Sequence, residues 1–348
     1  MSASPAYNLA IVGATGAVGV EILRVLERRH FPVGHLRLLA SSRSAGKTLT
    51  FSGQSIPVEV LAPESFTDID FAFFSAGATR SRQFVPAARD AGAIVIDNSS
   101  AFRMDPSVPL VVPEINPDTL RHHTGLIANP NCSAAILGVA LAPLHRAASL
   151  RRLIVATYQS ASGAGAAAMA ELEEQTRAVT AGQPVQPKVF PHPIAFNLFS
   201  HNTPIAPNGF NEEENKIVEE TRKLFNLPHL PILPTCIRVP VLRAHSEAVV
   251  ATFDQPLTAD QARSLLASAP GVKVVDDPAS NTFPMPLHAS GDLDVHVGRL
   301  RQDPSDPHTL AFFLSGDQLL KGAAWNAVQI AETLIAQGLT RKSAAGPG

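Results

Sequence analysis

Two cysteines in 348 residues, Cys132 and Cys236, are too few for a disulfide framework or a cysteine-rich zinc site. An excess of either charge is also missing: 28 Lys and Arg stand against 30 Asp and Glu, a formal net charge of -2. Such a balance attracts neither nucleic acid nor an anionic membrane, so an anionic ligand must be held by individually placed Arg and Lys. No apolar run approaches the roughly 20 residues of a membrane helix. The N-terminal stretch MSASPAYNLAIVG lacks the basic n-region of a signal peptide, and a cytoplasmic protein is expected. The chain shows no internal repeat, its only low-complexity stretch is the short SAAGPG tail, and its twelve histidines show no metal-ligand spacing, so no metal is expected. What it does have is apolar content, 45% of residues, enough for cores in two domains.

The first third alternates short apolar runs with helical patterns. Leu9 to Val12 leads into GATGAVG and then VEILRVLERR, and across the last two Val18, Ile22, Val25 and Leu26 share a face: strand, glycine turn, amphipathic helix. Runs at Leu36–Ala40, Phe71–Phe74, Ile94–Ile96, Leu110–Val112 and Leu126–Ala128 read as buried parallel strands. An α/β fold follows, with a Rossmann-like, doubly wound N-terminal domain over residues 1–131 that binds ligands beyond the carboxyl ends of its strands. Those ends carry GATG, SSRS, SAGA, DNSSAFR and NPNC.

From Arg151 the texture changes. LIVATYQ and a small-residue segment, SASGAGAAAMAELEEQ, precede a Pro- and Asn-rich connection from Gly182 to Asn211, long enough to suggest an ordered, functional segment. A helix EEENKIVEETRKLF then places Ile217, Val218, Thr221, Leu224 and Phe225 on one face. TCIRVPV, EAVVATF, DVHVGRL and AFFLS suggest a mostly antiparallel sheet with one face covered. Residues 132–317 are thus expected to form a second, α+β domain. A long amphipathic helix over about 318–340 should return to complete the first domain.

The glycine turn Gly13-x-x-Gly16-x-x-Gly19 lets backbone approach a pyrophosphate at a helix N-terminus. Gly13, Thr15, Gly16, Ala17 and Val18 are its expected dinucleotide contacts. An NAD site usually ends its second strand in an acid; here the chain reads Ala40-Ser-Ser-Arg-Ser-Ala-Gly-Lys47. Ser41, Arg43 and Ser44 suit a 2′-phosphate, which favours NADP over NAD. A solvated loop arginine is the plain alternative for Arg43.

Cys132 lies between an extended apolar run and a helix-forming run, so it should open a helix with Asn131 as cap. Helix N-terminal amides and the dipole favour thiolate, the nucleophilic form. A small buried hydrophobe at a helix start is the alternative on spacing alone. Gln159 ends the first strand of the second domain, just before Ser160 to Gly163, where Ser162 and Gly163 leave room for a planar ring. Cys236 and Arg238 share one face of a strand, with His245 seven residues further at a turn. Cys236 reads as a packed thiol. Glu213 and Lys216 stand at i, i+3 on a helix opened by Asn211 and can face one ligand, or form an ordinary exposed pair.

In order, GATGAVG, LASSRSAGK, DNSSAFR, NPNCS, TYQSASGAG, EEENK, RVPVLRAH and LLKGAAWNAVQIAE cover nearly the whole chain, which resembles the bacterial-type aspartate-semialdehyde dehydrogenase family. The resemblance implies Cys132 as acyl-thioester nucleophile, His245 as acid/base, Gln159 as substrate-orienting amide and Arg238 as clamp for the substrate α-carboxylate. It implies Arg103 and Lys216 as phosphate ligands, Glu213 near the substrate amino group, and Gln318 among the NADP contacts. The implied reaction is NADPH-dependent reduction of L-aspartyl 4-phosphate to aspartate 4-semialdehyde and phosphate, in lysine/diaminopimelate, threonine and methionine biosynthesis. The stretch 182–211 and the sheet of the second domain read as partner-facing surface, and the resemblance implies a homodimer, or a tetramer built from it, assembled through 132–317 as the catalytic and dimerisation domain. N-acetyl-glutamyl-phosphate reductase is the nearest enzyme alternative, but its acetylated substrate would leave Glu213 without an ammonium to pair. A non-catalytic paralogue would be expected to lose Cys132 or His245, and both are present.

Overall fold

In the computed structural model residues 6–340 are described. The chain divides into two compact units, one taking residues up to Asn131 with the segment from Ala323 onward, the other Cys132–Gly322.

The first unit runs β1 (Tyr7–Val12), α1 (Ala17–Arg28), β2 (Val33–Ala40), β3 (Thr48–Phe51), β4 (Gln54–Val60), β5 (Phe71–Phe74), α2 (Ala78–Asp90), β6 (Ile94–Asp97) and β7 (Leu126–Ala128). Its sheet has the order β3-β4-β2-β1-β5-β6-β7 and is parallel except at the β3–β4 hairpin. Both faces of the central strands are covered, which is why β5 and β6 are buried at every position and carry no polar alternation. The C-terminal helix, Trp325–Ala336, packs on α1, with Arg29 paired to Glu332 at 3.1 Å and stacked over Trp325.

Two expectations need correction here. Leu110–Val112 forms no strand; Leu110 makes one parallel bridge to Ala128, because Pro109 and Pro113 flank the run and cannot donate to a ladder. The C-terminal stretch is not one long helix either, since a π-helical turn, Leu320–Ala324, precedes Trp325. The hairpin β3–β4 was not anticipated. Its positions are mostly exposed, and its turn rests on Ser52 and Gly53 at φ 48° and 77°.

The second unit comprises α3 (Cys132–Ala148), β8 (Leu150–Gln159), α4 (Ala166–Thr180), β9 (Phe199–Ser200), α5 (Glu212–Phe225), β10 (Ile232–Arg238), β11 (His245–Phe253), α6 (Ala259–Ala267), β12 (Val272–Val274), α7 (Pro286–Ala289), β13 (Val295–Asp303) and β14 (Asp306–Gly316). Its sheet, ordered β12-β13-β14-β11-β8-β10-β9, is mixed and mostly antiparallel, with β10 parallel to β8 and β12 parallel to β13. One face is covered, so β10 alternates buried and less buried positions along its length. Asn211 caps α5 by accepting from the Glu214 N–H at 2.9 Å, and Glu214 answers by accepting from the Asn211 N–H at 2.9 Å.

The Pro- and Asn-rich connection is ordered for a definable reason. Glu171 and Gln175 on α4 accept the backbone N–H groups of Lys188, Val189, Ile194 and Ala195, and Phe190 and Ile194 bury against Ala161, Ala168 and Leu172. Among the described residues no helix is long and apolar enough to cross a membrane.

Candidate active site

In the second unit, three neighbouring strands deliver their ends to one place. Gln159 closes β8 and pairs in register with Arg238, which closes β10; His245 opens β11, whose Ser246 pairs with Tyr158. All three side chains lie on the covered face and are buried. Cys132 opens α3 and is half-buried, the exposure a reactive thiol needs. Gly322 packs directly against it: a Cβ there would lie 2.7 Å from the Cys132 Cβ. The Gln159 amide links these parts, donating to Ser133 Oγ at 3.0 Å and to Glu213 Oε1 at 3.4 Å.

His245 is fully buried, and that burial, reinforced by Arg238, pushes its pKa down to about 3. Its ring is therefore neutral, and its tautomer follows from a backbone bond. The Ser160 N–H donates to Nδ1 at 3.1 Å, so the ring proton sits on Nε2. Nε2 has no hydrogen-bond partner among the described residues. It faces Gly163, where a Cβ would stand 3.0 Å away, so the glycine leaves space at the one unpaired ring atom.

Arg238 is held on two sides. Nη1 donates to the Ser160 carbonyl at 2.7 Å and Nη2 to His201 Nε2 at 2.8 Å, with Phe190 stacked against the guanidinium at 5.5 Å. Nε is buried without a partner among the described residues. Burial lowers the arginine's pKa, while Glu213 and Cys132 oppose that and favour the charged form. A buried cationic fork with an unsatisfied donor is suited to a carboxylate. Glu213 is buried and lies 3.5 Å from Lys216 Nζ, which also meets Glu212 at 2.8 Å. Cys236 is sealed in the interior, and burial drives its thiol pKa well up, as a packed thiol requires.

Ser162, Gly163 and Gln318 adjoin this row. The Gln318 amide donates to Ser162 Oγ, Ser162 Oγ is 2.9 Å from Ser160 Oγ, and Gln318 Oε1 accepts from the Ala244 N–H at 3.0 Å. Sequence reasoning missed His201, Phe190 and Gly322. None carries a local signal, since each matters through a partner far along the chain.

The first unit holds the other set of candidate residues. Gly13, Thr15, Gly16, Ser41, Arg43 and Ser44 line a cleft with Ser75, Ala76 and Arg80. Gly13 has φ 87° and sits against the Ser75 carbonyl, so no other residue fits there. Thr15 Oγ1 donates to Ser44 Oγ at 3.3 Å and ties the turn to the end of β2. Ala17 and Val18 begin α1, which has no side-chain cap and no acid in its first turn. Among the described residues no carboxylate lines the cleft, and Arg80, which the sequence reading missed, adds a second guanidinium. Arg103 is buried, donating from Nε to the Asn129 carbonyl at 2.9 Å and from Nη2 to the Asn98 carbonyl at 2.8 Å. The same loop is anchored by Asp97, which accepts from Ser81, Ser99 Oγ and the Ser99 N–H.

Comparison with known proteins sets the class first: the semialdehyde dehydrogenase NAD binding domain matches residues 8–123, and the semialdehyde dehydrogenase dimerisation domain matches residues 141–321. The first unit is thus an NAD(P)-binding domain. Curated relatives narrow the class. An aspartate-semialdehyde dehydrogenase of Synechocystis sp. is 53% identical, covering 95% of this chain and 98% of its own, and one of Bacillus subtilis is 45% identical over 94% and 97%. The crystal structure of aspartate semialdehyde dehydrogenase II complexed with ASA from Vibrio cholerae is 43% identical, with a TM-score of 0.92 over 96% of this chain and 99% of that one. The chain belongs to the aspartate-semialdehyde dehydrogenase family.

Proposed function

We propose that this enzyme catalyses the reversible NADPH-dependent reduction of L-aspartyl 4-phosphate to L-aspartate 4-semialdehyde and phosphate, a cytoplasmic step towards lysine and diaminopimelate, threonine and methionine. The observation that carries the reading is the meeting in one unit of a half-buried, helix-opening cysteine with two buried groups that each keep an unsatisfied donor, Arg238 Nε and His245 Nε2.

The Cys132 sulfur, favoured as thiolate by the N-terminus of α3, attacks the acyl carbon. A C–S bond forms, the C–O bond to phosphorus breaks, and phosphate leaves with the electron pair. Arg103 and Lys216 are the cations assigned to that phosphate. Bound NADPH supplies the hydride that reduces the thioester carbon. His245 acts as acid/base through Nε2, which carries the ring proton and meets the carbonyl oxygen as negative charge develops on it. Collapse then breaks the C–S bond and returns the thiolate. Arg238 holds the α-carboxylate, Glu213 the ammonium, and the Gln159 amide orients the acyl group between them.

The cleft in the first unit fits the phosphorylated dinucleotide. Gly13, Gly16, Ala17 and Val18 bring an uncapped helix start to the pyrophosphate, and Ser41, Arg43 and Ser44, with no acid beside them, suit the 2′-phosphate. Ser162, Gly163 and Gln318 are assigned to the nicotinamide end. The assembly we infer is a homodimer, supported by the match to a dimerisation domain and by an apolar row on the open face of the second sheet.

The test is turnover of aspartate 4-semialdehyde with phosphate and NADP, beside N-acetyl-glutamate semialdehyde. Turnover of the acetylated substrate alone overturns the substrate assignment. Retained activity in Cys132→Ala overturns the covalent route, whereas a thioester trapped on Cys132 and seen by mass spectrometry supports it.

A further inference from the structure

His201, just beyond β9, is fastened by its own backbone: its N–H donates to the Cys236 carbonyl at 2.8 Å and its carbonyl accepts from Asn211 Nδ2 at 3.5 Å. Its ring lies between two groups that the proposed function uses. Arg238 Nη2, which can only donate, is 2.8 Å from Nε2, so Nε2 must be the bare nitrogen and Nδ1 carries the proton. Nδ1 in turn is 3.3 Å from Thr203 Oγ1, and the same hydroxyl oxygen accepts from the Glu213 N–H at 3.2 Å. The bonds run in sequence from Arg238 to His201 to Thr203 to the first turn of α5.

We propose that His201 is a positioning residue whose neutral ring aims the Arg238 fork and fixes its spacing from Glu213, so that the enzyme recognises a carboxylate and an ammonium on one carbon. This rests on the reading of Arg238 and Glu213 given above. A protonated ring would turn Nε2 into a second donor facing Arg238 and break the arrangement. Burial keeps that from happening: with help from Arg238, and against the pull of Glu213, it lowers the His201 pKa to about 4. Phe190 bounds the guanidinium and the Ser160 carbonyl holds Nη1, so without His201 the fork keeps its charge but Nη2 loses the acceptor that fixes it on the Glu213 side.

The experiment compares wild type, His201→Ala and His201→Gln, Gln offering an amide oxygen near the position of Nε2. For His201→Ala we expect KM for aspartate semialdehyde to rise about ten- to a hundredfold, the cost of one hydrogen bond to a charged group, with KM for phosphate and NADP unchanged. His201→Gln should recover most of that loss. In an Arg238→Lys background the His201→Ala change should add little, because the two residues act as one unit. Unchanged KM for the semialdehyde, a uniform rise in all three KM values, or a Gln variant as poor as Ala each overturns the proposal. Nitrogen-15 NMR of the histidine rings tests the tautomer without any turnover, so a failure of the functional reading is seen separately in the wild-type assay. A proton on Nε2 rather than Nδ1 of His201 at pH 7 also overturns the proposal.

Discussion

Gly163 faces His245 so closely that a Cβ on the glycine would stand 2.9 Å from Cε1 and 3.0 Å from Nε2 of the ring, and 3.1 Å from Arg238 Nη1. The constraint is space rather than backbone angle, because only contacts, and no left-handed φ, set Gly163 apart. Gly163→Ala should therefore fold and melt like wild type while kcat/KM falls about a hundredfold, the scale of displacing one acid/base group. A melting curve and initial rates decide it. Wild-type kcat/KM would mean that the space before His245 Nε2 is not where substrate reacts.

His245 also predicts a pH dependence of stability. Its folded pKa, about 3, lies below the ordinary value of 6.5. It thus contributes stability that is present above pH 6.5 and lost as pH falls towards 3, since the unfolded chain takes up the proton first. His201, lowered to about 4, adds a loss of the same sign. Melting temperature measured from pH 7 to 4 should decline less steeply in His245→Asn than in wild type, with activity down about a hundredfold or more. Parallel declines in the two proteins would contradict the burial of a neutral His245.

How much of this was legible follows from the range of the interactions. Strands β1, β2 and β5 to β7, the start of α3 at Cys132 and the Asn211 cap of α5 each rest on a few consecutive residues, so the chain displays them directly. The run at Leu110–Val112 misled because its apolar content resembles a strand while the flanking prolines deny it a ladder. The π-helical turn before Trp325 is equally silent, since LLKGAAWNAVQIAE has unbroken helical periodicity. In the site, spacing put Arg238 and His245 near one another, but only the family resemblance suggested roles for them. His201 was not, because its meaning comes from a guanidinium 37 positions away, and the Ser160 bond that sets the His245 tautomer spans 85 positions.

One register step deeper than Gln159, Glu247 on β11 pairs with Thr157 on β8, which pairs with Cys236 on β10. Glu247 is fully buried, neither carboxyl oxygen has a partner among the described residues, and burial raises its pKa well above the ordinary value, which favours the neutral acid in the folded protein. The sign is opposite to that of His245: the stability is intact below pH 4.5 and lost as pH rises towards the raised folded value, because only the unfolded chain ionises. Glu247→Gln should then raise the melting temperature at pH 8 more than at pH 5. An equal shift at both pH values would show that packing, not ionisation, separates the two proteins.

The proposed preference for NADP makes Arg43 the residue to test. It lines the cleft with Ser41, Ser44 and Arg80, and among the described residues no carboxylate is there to accept a ribose 2′-hydroxyl. Arg43→Ala should raise KM for NADPH about ten- to a hundredfold, as expected for loss of one charge-assisted contact to phosphate, and leave KM for NADH nearly unchanged. Steady-state kinetics with both coenzymes provide the check. Equal losses with NADPH and NADH would move Arg43 from the 2′-phosphate to some shared part of the dinucleotide.

The open face of the second sheet carries Leu233 on β10, Ile154 on β8 and Val250 on β11, three residues in direct register across adjacent strands and 50%, 38% and 37% exposed. Side chains at this exposure on neighbouring strands form one continuous apolar strip, a feature that isolated surface hydrophobics lack. Covering it with the same strip of a second copy is self-complementary, as a two-fold interface requires. Ile154 sits at the middle of the row, so Ile154→Asp would place two carboxylates face to face in a desolvated strip. Sedimentation at micromolar concentration should show a dimer for wild type and a monomer for the variant, with the circular dichroism spectrum unchanged. A wild-type monomer, or an undisturbed dimer in Ile154→Asp, would place the contact elsewhere on the chain.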